Sequence, residues 1–299
     1  MNFLVLILGL SLERLLTNFY HLRGFNWLNP LFDIIFSKLR VAQSNLAILS
    51  TILIVAALIL PLWLLEFSLE GDLAYIPQFI FSMFVFIFCL GPSDLDDNVT
   101  DFSDAVSTGD SYKANKVASE LLEHDTSDEE ILEIDKAIYA QANNRIFGVV
   151  FWFVLIGPLG AWLFRLLDLM QRRAVHFSKA IPLTDSRYNP DRLNIIAAPI
   201  LLHRMIAWAP GHLLACSYVL AGSFDGAVTA WRNFTKHDST FFPGPTDQLL
   251  GVLGCSSRSL NKQNDPVAKA NIALEHVERT LWFIWCPILA LMTLYNLLS

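Results

Sequence analysis

Long apolar runs alternate with polar loops along this chain, and the runs predict membrane-spanning helices. In residues 46–65 only Ser50 and Thr51 are polar, and in residues 73–90 no side chain is charged. Each run approaches the ~20 residues that a helix needs to cross the hydrocarbon core of a bilayer. The other apolar segments are Met1–Leu16, Ile146–Met170, Leu193–Gly222 and Leu281–Leu298. We therefore predict an all-α, polytopic integral membrane protein, with the first segment as an uncleaved helix.

Two of the apolar segments contain helix-breaking residues. Gly157-Pro158-Leu159-Gly160 divides residues 146–170 into halves of about ten residues, each too short to span a bilayer alone. Pro210-Gly211 divides residues 193–222 in a similar way. This pattern favours four full spans plus two broken or re-entrant segments, and six plain spans are the alternative.

The positions of Lys and Arg indicate the orientation, because cytoplasmic loops of membrane proteins are enriched in these residues. Residues 17–44 carry Arg23, Lys38 and Arg40, whereas the turn at residues 66–72 holds three acids and no base. We therefore expect residues 17–44 in the cytoplasm and the turn outside. Counting crossings from there places residues 92–145 and 223–279 in the cytoplasm and both termini outside.

This topology predicts five segments. They are a membrane domain at 1–91 with three apolar helices and a cytoplasmic loop at 17–44, an acidic cytoplasmic helical hairpin at 92–145, broken or re-entrant membrane helices at 146–222, a cytoplasmic loop region at 223–279 and a C-terminal transmembrane helix at 280–299. Within the hairpin, an apolar stripe predicts a helix over residues 111–123. Overlapping capping boxes at residues 126–130 predict the start of a second helix, which carries Ile134 and Ile138 on one face.

Composition supports a membrane protein and excludes several other classes. The chain is 54% hydrophobic and only 16% charged, against the ~25% charged residues of soluble domains. A net charge of −7 and the lack of a basic block argue against nucleic acid as a partner. The four cysteines show no zinc or disulfide spacing, and no phosphate-binding loop, dinucleotide fingerprint or nucleophile elbow is present. We therefore predict no metal, no cofactor and no catalytic residue.

Polar residues inside or beside the apolar segments are the candidate ligand-binding residues, because ionisable groups at such positions are usually functional. The candidates are Asn143, Asn144, Arg145, Arg165, Asp168, Arg204, Trp208, His212 and His237. We expect the groups around Arg145, Arg165 and Arg204 to share one polar cavity open to the cytoplasm, whose cationic lining would suit an anionic ligand. In the alternative, Arg165 and Asp168 form a structural ion pair, Arg204 reaches the membrane interface and His237 is an ordinary surface residue.

Short motifs spread over nearly the whole chain carry a family resemblance. They are Leu12-Glu13-Arg14-Leu15, Ala142-Asn143-Asn144-Arg145-Ile146-Phe147, Phe151-Trp152-Phe153, Ile156-Gly157-Pro158-Leu159-Gly160-Ala161, Phe164-Arg165, Trp208-Ala209-Pro210, Tyr218-Val219-Leu220-Ala221-Gly222-Ser223-Phe224 and Ala230-Trp231-Arg232. In these motifs the chain resembles the AmpE family of bacterial inner-membrane proteins. The resemblance implies a role in the response to β-lactams and in the control of β-lactamase expression.

A more distant resemblance connects the chain to the CobD/CbiB membrane enzymes of cobalamin biosynthesis, which attach aminopropanol to a corrinoid carboxylate. Gly109-Asp110, Asp125-Thr126 and Gly157-Pro158 with Arg165 are similar to features of that family. However, those enzymes carry acidic residues where residues 139–147 contain none, and residues 237–246 lack their Ser-Pro-Asn run and Pro-Glu pair. Because ATP-driven amide synthesis needs carboxylates for magnesium and for proton transfer, these departures favour a protein without that activity.

Three functional hypotheses follow. The first is a non-catalytic inner-membrane sensor or regulator of the β-lactam response, with the lipid bilayer and an anionic or cell-wall-derived small molecule as its partners. The second is a membrane enzyme that modifies an amphiphilic or lipid-linked carboxylate. The third is a small-solute transporter, which broken helices would suit although the sequence shows no matching pair of such segments related by a repeat.

Overall fold

The computed structural model describes Val5, Gly9 and residues 25–39, 41, 43–69, 75–90, 95–122, 133–179, 190–237, 242, 244, 246–257 and 265–291. Over these residues the chain is helical and contains no strand. The helices are α1 (Asn29–Lys38), α2 (Ser44–Ser68), α3 (Tyr75–Cys89), α4 (Leu95–Ser107), α5 (Ser111–Leu122), α6 (Ile134–Ala142), α7 (Gly148–Ile156), α8 (Pro158–Lys179), α9 (Pro190–Ala221), α10 (Phe224–His237), α11 (Thr246–Ser256) and α12 (Pro266–Thr280). A 3₁₀ turn at Phe25–Leu28 precedes α1, and π-helical turns at Asn143–Phe147 and Leu281–Trp285 follow α6 and α12.

The chain forms two compact units that are discontinuous in sequence. Unit 1 contains Met1–Pro92 and Gly148–Ile206, and unit 2 contains Ser93–Phe147 and Ala207–Ser299. In unit 1, α8 packs against α1, α2, α3 and α7. In unit 2, α6 packs against α11 and α12. The five predicted segments are defined by the expected membrane topology, whereas these two units are defined by packing within the chain. The five-segment division therefore stays a prediction.

In the described residues, two helices are long and apolar enough to cross a bilayer. They are Ser44–Ser68 and Leu193–Ala221, and the shorter apolar helix Ile76–Cys89 follows the first of them. Only 11% of the most apolar window of α2 is buried inside the protein, so its leucines and aromatic residues are largely exposed. The all-helical fold is as predicted. The further spans stay predictions, and residues 292–299 lie outside the described residues.

A sharp turn at Gly157 separates α7 from α8, where the Gly-Pro pair predicts a break. Gly157 has a φ of +87°, a left-handed conformation that glycine adopts without steric cost. Pro158 then starts α8, where its fixed φ suits the first turn of a helix. A Cβ at Gly160 would overlap the backbone of Trp152, so this glycine allows α8 to pack back closely on α7. The break occupies one residue rather than four, and α8 continues to Lys179.

The predicted break at Pro210-Gly211 is wrong, because α9 continues without interruption from Pro190 to Ala221. A proline within a helix leaves the carbonyl four residues earlier without its usual N–H donor. For Pro210 that carbonyl belongs to Ile206, and it accepts a hydrogen bond from Trp152 Nε1 at 3.1 Å. A side chain on α7 thus replaces the missing donor, which is how proline is tolerated within apolar helices.

Residues 92–145 contain a helix that the sequence analysis did not predict. This helix, α4, precedes α5 and buries Leu95, Val99 and Phe102 at helical spacing. Gly109 (φ +73°) ends it in a Schellman motif, in which the N–H groups of Asp110 and Gly109 donate to the carbonyls of Ala105 and Val106 at 2.9 and 3.1 Å. The following helix, α5, occupies Ser111–Leu122, where the apolar stripe predicts it. The capping boxes at 126–130 lie outside the described residues.

Candidate functional site

Unit 1 contains a buried cluster of charged residues on α8. Arg165 and Asp168 are each 1% exposed, and Arg165 Nη1 donates to Asp168 Oδ2 at 2.7 Å. Arg172, one turn further, donates from Nε to Asp168 Oδ1 at 3.0 Å. His203 Nε2 of α9 lies 4.0 Å from the same oxygen. Asp168 therefore contacts two guanidinium groups and lies near a histidine, and these contacts compensate for the cost of its burial.

Arg204 lies in a different environment from this cluster. Its neighbour His203 is 2% exposed, whereas Arg204 itself is exposed. Because successive residues of a helix point about 100° apart, only one of the two can face the interior of unit 1. The structure thus places Arg165 and Asp168 together and leaves Arg204 on the surface of this unit.

In unit 2, the candidate residues Asn143, Asn144 and Arg145 lie on a single π-helical turn. They are 0%, 2% and 5% exposed, respectively. Within the described part of the chain, neither Oδ1 nor Nδ2 of Asn143 has a hydrogen-bond partner, and Asn144 Oδ1 has none either. A buried polar atom left without a partner costs about 1–3 kcal/mol, and π-helical turns occur often at functional sites. The buried polar atoms of this turn therefore lower the stability of the fold, which makes the turn a candidate functional site.

Gly211 allows α9 to approach this turn closely. A Cβ at Gly211 would overlap the methyl group of Thr246 and would lie 3.5 Å from Asn143 Nδ2. Thr246, the first residue of α11, is 6% exposed. The Asn143 carboxamide is thus enclosed by the backbone of Gly211 and its neighbours.

A cavity of about 530 Å³ lies next to the π-helical turn within unit 2. Its lining residues are Leu121, Glu133, Lys136, Ala137, Ala140, Gln141, Asn144, Phe234, Asp247, Gln248, Gly251 and Val252. Lys136 Nζ donates to Glu133 Oε1 at 2.6 Å, and the two side chains are 44% and 59% exposed. The lining of the cavity therefore includes an exposed ion pair, the buried residue Asn144 and several small apolar side chains.

Two glycines of α11 bring this helix close to α6 and so shape one wall of the cavity. A Cβ at Gly251 would come within 2.9 Å of Lys136 Cβ, and a Cβ at Gly254 would overlap the ring of Tyr139. The spacing of three residues places both glycines on one face of α11. Small residues at such a face let two helices approach closely.

Two further candidates of unit 2, Trp208 and His212, form an aromatic cluster with Phe242. The rings of Trp208 and His212 lie 4.4 Å apart, and His212 Nδ1 is 2.8 Å from the carbonyl oxygen of Trp208. Phe242 meets Trp208 edge to face at 5.5 Å. His237 is the last residue of α10, and its side chain lies outside the described structure. The cavity predicted to join the groups around Arg145, Arg165 and Arg204 stays a prediction, because these residues belong to different units.

A buried polar network in unit 2 was not predicted from the sequence. Tyr139 Oη hydrogen-bonds to His276 Nδ1 at 3.1 Å, and the hydroxyl of Tyr218 donates to the carbonyl of Tyr139 at 3.3 Å. All three side chains are at most 7% exposed. One signal could have indicated His276: it lies on the apolar face of α12 with Ala273 and Val277, which are also buried.

Comparison with known proteins adds one finding to this geometry. No curated protein and no solved structure matches the chain. A family model described as "Regulatory signalling modulator protein AmpE" matches residues 1–299. Since this match covers every segment described above, the chain belongs to the AmpE family.

Proposed function

We propose that this protein is a multi-pass inner-membrane sensor that regulates the response to β-lactams. In this proposal a small cell-wall-derived molecule with an anionic group binds in unit 2, and the acidic helices around residues 92–145 pass the signal to a cytoplasmic partner. The description of the family as a regulatory signalling modulator supports a regulatory role.

The observation that carries the proposal is the π-helical turn with its buried carboxamides. Natural proteins rarely leave a buried polar side chain without a partner. Asn143 has none for either polar atom in the described residues, and it is fully buried. Such a cost is expected where the arrangement serves a ligand or a conformational change rather than stability.

The exposed apolar surface of α2 supports the membrane location. Its residues Leu53, Leu60 and Phe67 are 62%, 54% and 61% exposed, and the helix contains 25 residues. Such a continuous apolar surface would be unstable in water but suits the interior of a bilayer. We propose that Ser44–Ser68 and Leu193–Ala221 span the membrane together with the other apolar segments, with residues 92–145 and 223–279 in the cytoplasm.

The sensor role can be tested in cells whose own gene is replaced by the Asn143→Leu variant. Leucine is similar in shape to asparagine but offers no hydrogen bond, so the induction of β-lactamase by a β-lactam should be lost. Asn233→Leu makes the same change at an exposed position of α10 and serves as the matched control. Immunoblots of the membrane fraction report the amount of each protein. Normal induction in the Asn143→Leu cells would overturn the proposal.

Topology has a separate test. A cysteine introduced at the exposed Asp104 of α4 should react with a membrane-impermeant maleimide only after the cytoplasmic side is opened. The parent protein, with its four cysteines, gives the background. Labelling from the periplasmic side of intact cells would reverse the proposed orientation.

A further inference from the structure

One face of the α1 region is apolar and exposed, although the helix packs against α8. Trp27, just before α1, and Leu31 and Ile34 within it follow one another at helical spacing and are 63%, 38% and 51% exposed. These three residues form the outer face of α1. The opposite face is buried, and its Phe36 packs on Phe177 of α8 with the ring centroids 5.8 Å apart. The contact with α8 therefore leaves one of two apolar faces uncovered.

We propose that the outer face of α1 lies inside the bilayer and contacts the acyl chains of the leaflet that faces the cytoplasm. The inference rests on the proposed membrane location of α2. It also goes further, because the positions of Lys and Arg alone predict residues 17–44 as a cytoplasmic loop. In this inference α1 is a half-membrane helix, and its end at Lys38 reaches the lipid headgroups.

The start of the α1 region lies level with the middle of α2. Trp162 of α8 donates from Nε1 to the Leu58 carbonyl of α2 at 3.4 Å. The same indole lies 5.7 Å from the ring of Phe25, the first residue of the 3₁₀ turn before α1. Leu58 follows Ser44, the first residue of α2, by 14 residues, which corresponds to about 21 Å along the helix axis. Because a hydrocarbon core is ~30 Å thick, a spanning α2 places Phe25 well inside it.

The end of α1 lies near the start of α2. Residues 39–43 connect Lys38 to Ser44, and five residues span at most about 18 Å. Lys38 follows Phe25 by 13 residues, which corresponds to about 20 Å of helix. This length matches the ~21 Å that separates Leu58 from Ser44 along α2. The α1 region therefore has the length and the end points to cross the same half of the membrane as the first half of α2.

The charged residues of α1 are placed as a half-membrane helix requires. The outer face contains none. Asp33 is paired with α8, because Arg173 donates to its two carboxylate oxygens from Nε at 2.7 Å and from Nη2 at 2.5 Å. Lys38, the last residue of the helix, is exposed. A lysine at this position can extend its ammonium group to the headgroups, and the cytoplasmic leaflet is rich in anionic lipids.

Lipid is the occupant favoured by the neighbouring surface of α2. In the first half of that helix, Leu49 and Leu53 are 52% and 62% exposed, and their proposed surroundings are acyl chains. The outer face of α1 lies at the same depth in the same unit. Apolar surfaces at one depth meet the same solvent, so the lipid that covers α2 should also cover α1.

Nitroxide spin labels on the full-length protein in vesicles of phosphatidylethanolamine and phosphatidylglycerol test the inference. Leu31→Cys and Ile34→Cys place a label on the outer face, and Leu53→Cys places one on the exposed surface of α2. All three labels should collide more often with oxygen, which concentrates in lipid, than with a water-soluble nickel chelate. Asp104→Cys, at an exposed position of α4, should show the reverse. The labelled parent protein, with its four cysteines, gives the background to subtract.

Depth separates a half-membrane helix from a helix that lies flat on the membrane surface. Lys38 follows Leu31 by seven residues, or about 10 Å of helix. A label at Leu31→Cys should therefore lie deeper than one at Lys38→Cys by several ångströms, up to about 10 Å. Equal depth at the two positions would overturn the inference. Preferential collision of the outer-face labels with the nickel chelate would overturn it too. Protection from both reagents would also do so, since it would mean that protein, such as a second copy of the chain, covers the face.

The label on α2 separates failure of this inference from failure of the proposed membrane location. If Leu53→Cys meets lipid while Leu31→Cys and Ile34→Cys meet water, α1 is a surface helix and the membrane location of α2 stands. If Leu53→Cys also meets water, both the location of α2 and the inference are wrong.

Discussion

Replacing Trp152 by Phe should destabilise the protein more than the loss of an ordinary hydrogen bond would. The indole N–H of Trp152 donates to the Ile206 carbonyl at 3.1 Å, and the proline at position 210 cannot supply the helical N–H that this carbonyl would otherwise accept. Phenylalanine keeps most of the aromatic packing but has no donor. The variant therefore leaves a backbone carbonyl without a partner inside an apolar helix.

The size of the effect follows from that carbonyl. An acceptor that loses its donor costs about 1–3 kcal/mol when it is buried, and the hydrogen bond to Ile206 is part-buried. Trp162→Phe is the matched control, because Trp162 Nε1 donates to Leu58 O at 3.4 Å. The Leu58 carbonyl is also within reach of the helical N–H of Leu62 in α2. The lost hydrogen bond should therefore contribute less than about 1 kcal/mol to the cost of that variant.

Equilibrium unfolding in mixed detergent–SDS micelles measures both variants, and a double-mutant cycle tests the mechanism. Pro210→Ala restores an N–H at position 210, so Trp152→Phe should cost about 1 kcal/mol less in that background. The reasoning is refuted if the two substitutions are additive within about 0.3–0.5 kcal/mol.

Three further predictions concern other parts of the structure. Gly254→Ala should lower the free energy of unfolding by about 1–3 kcal/mol, because its methyl group would overlap the Tyr139 ring; the same unfolding assay measures this. Asn143→Leu should raise that free energy by about 1–3 kcal/mol, since it removes two buried polar atoms that have no partner in the described residues, and an unchanged or lowered stability would contradict this. The hydrogen bond from Arg173 holds the pKa of Asp33 below its usual 3.8. Its stabilisation, ~0.2–1 kcal/mol for an exposed pair, should be present above pH 3.8 and lost as the pH falls through the lowered pKa, and Asp33→Asn should abolish this part of the pH dependence of unfolding.

Patterns in the sequence predicted the structural elements that depend on residues close together in the chain. The apolar stripe of residues 111–123 indicated α5, and the structure has this helix at Ser111–Leu122. Gly157 has a positive φ, and the fixed φ of the adjacent Pro158 suits the first turn of a helix, so the break before α8 follows from two neighbouring residues. The spacing of Arg165 and Asp168 likewise indicated their contact on one helical face, which the structure shows at 2.7 Å.

Structural elements that depend on contacts between residues distant in the sequence could not be predicted in this way. Continuity of α9 through Pro210 depends on Trp152, which donates to Ile206 from a position 54 residues earlier. The cavity depends on the close approach of α6 and α11, which Gly251 permits by contact with Lys136. No local pattern encodes either contact, because both form only when distant segments pack together.

The two groups of polar candidates that looked equivalent in the sequence differ in how their hydrogen-bonding groups are satisfied. Asp168 has Arg165 and Arg172 within 3.0 Å, so its charge is compensated by side chains of its own helix, and its position is explained by packing in unit 1. Asn143 and Asn144 are just as buried, yet three of their side-chain atoms have no partner in the described residues. A compensated group can be conserved in a fold for stability alone, whereas an uncompensated one lowers stability and needs another reason. Function is therefore better sought at the π-helical turn of unit 2 than at the more strongly charged cluster of unit 1.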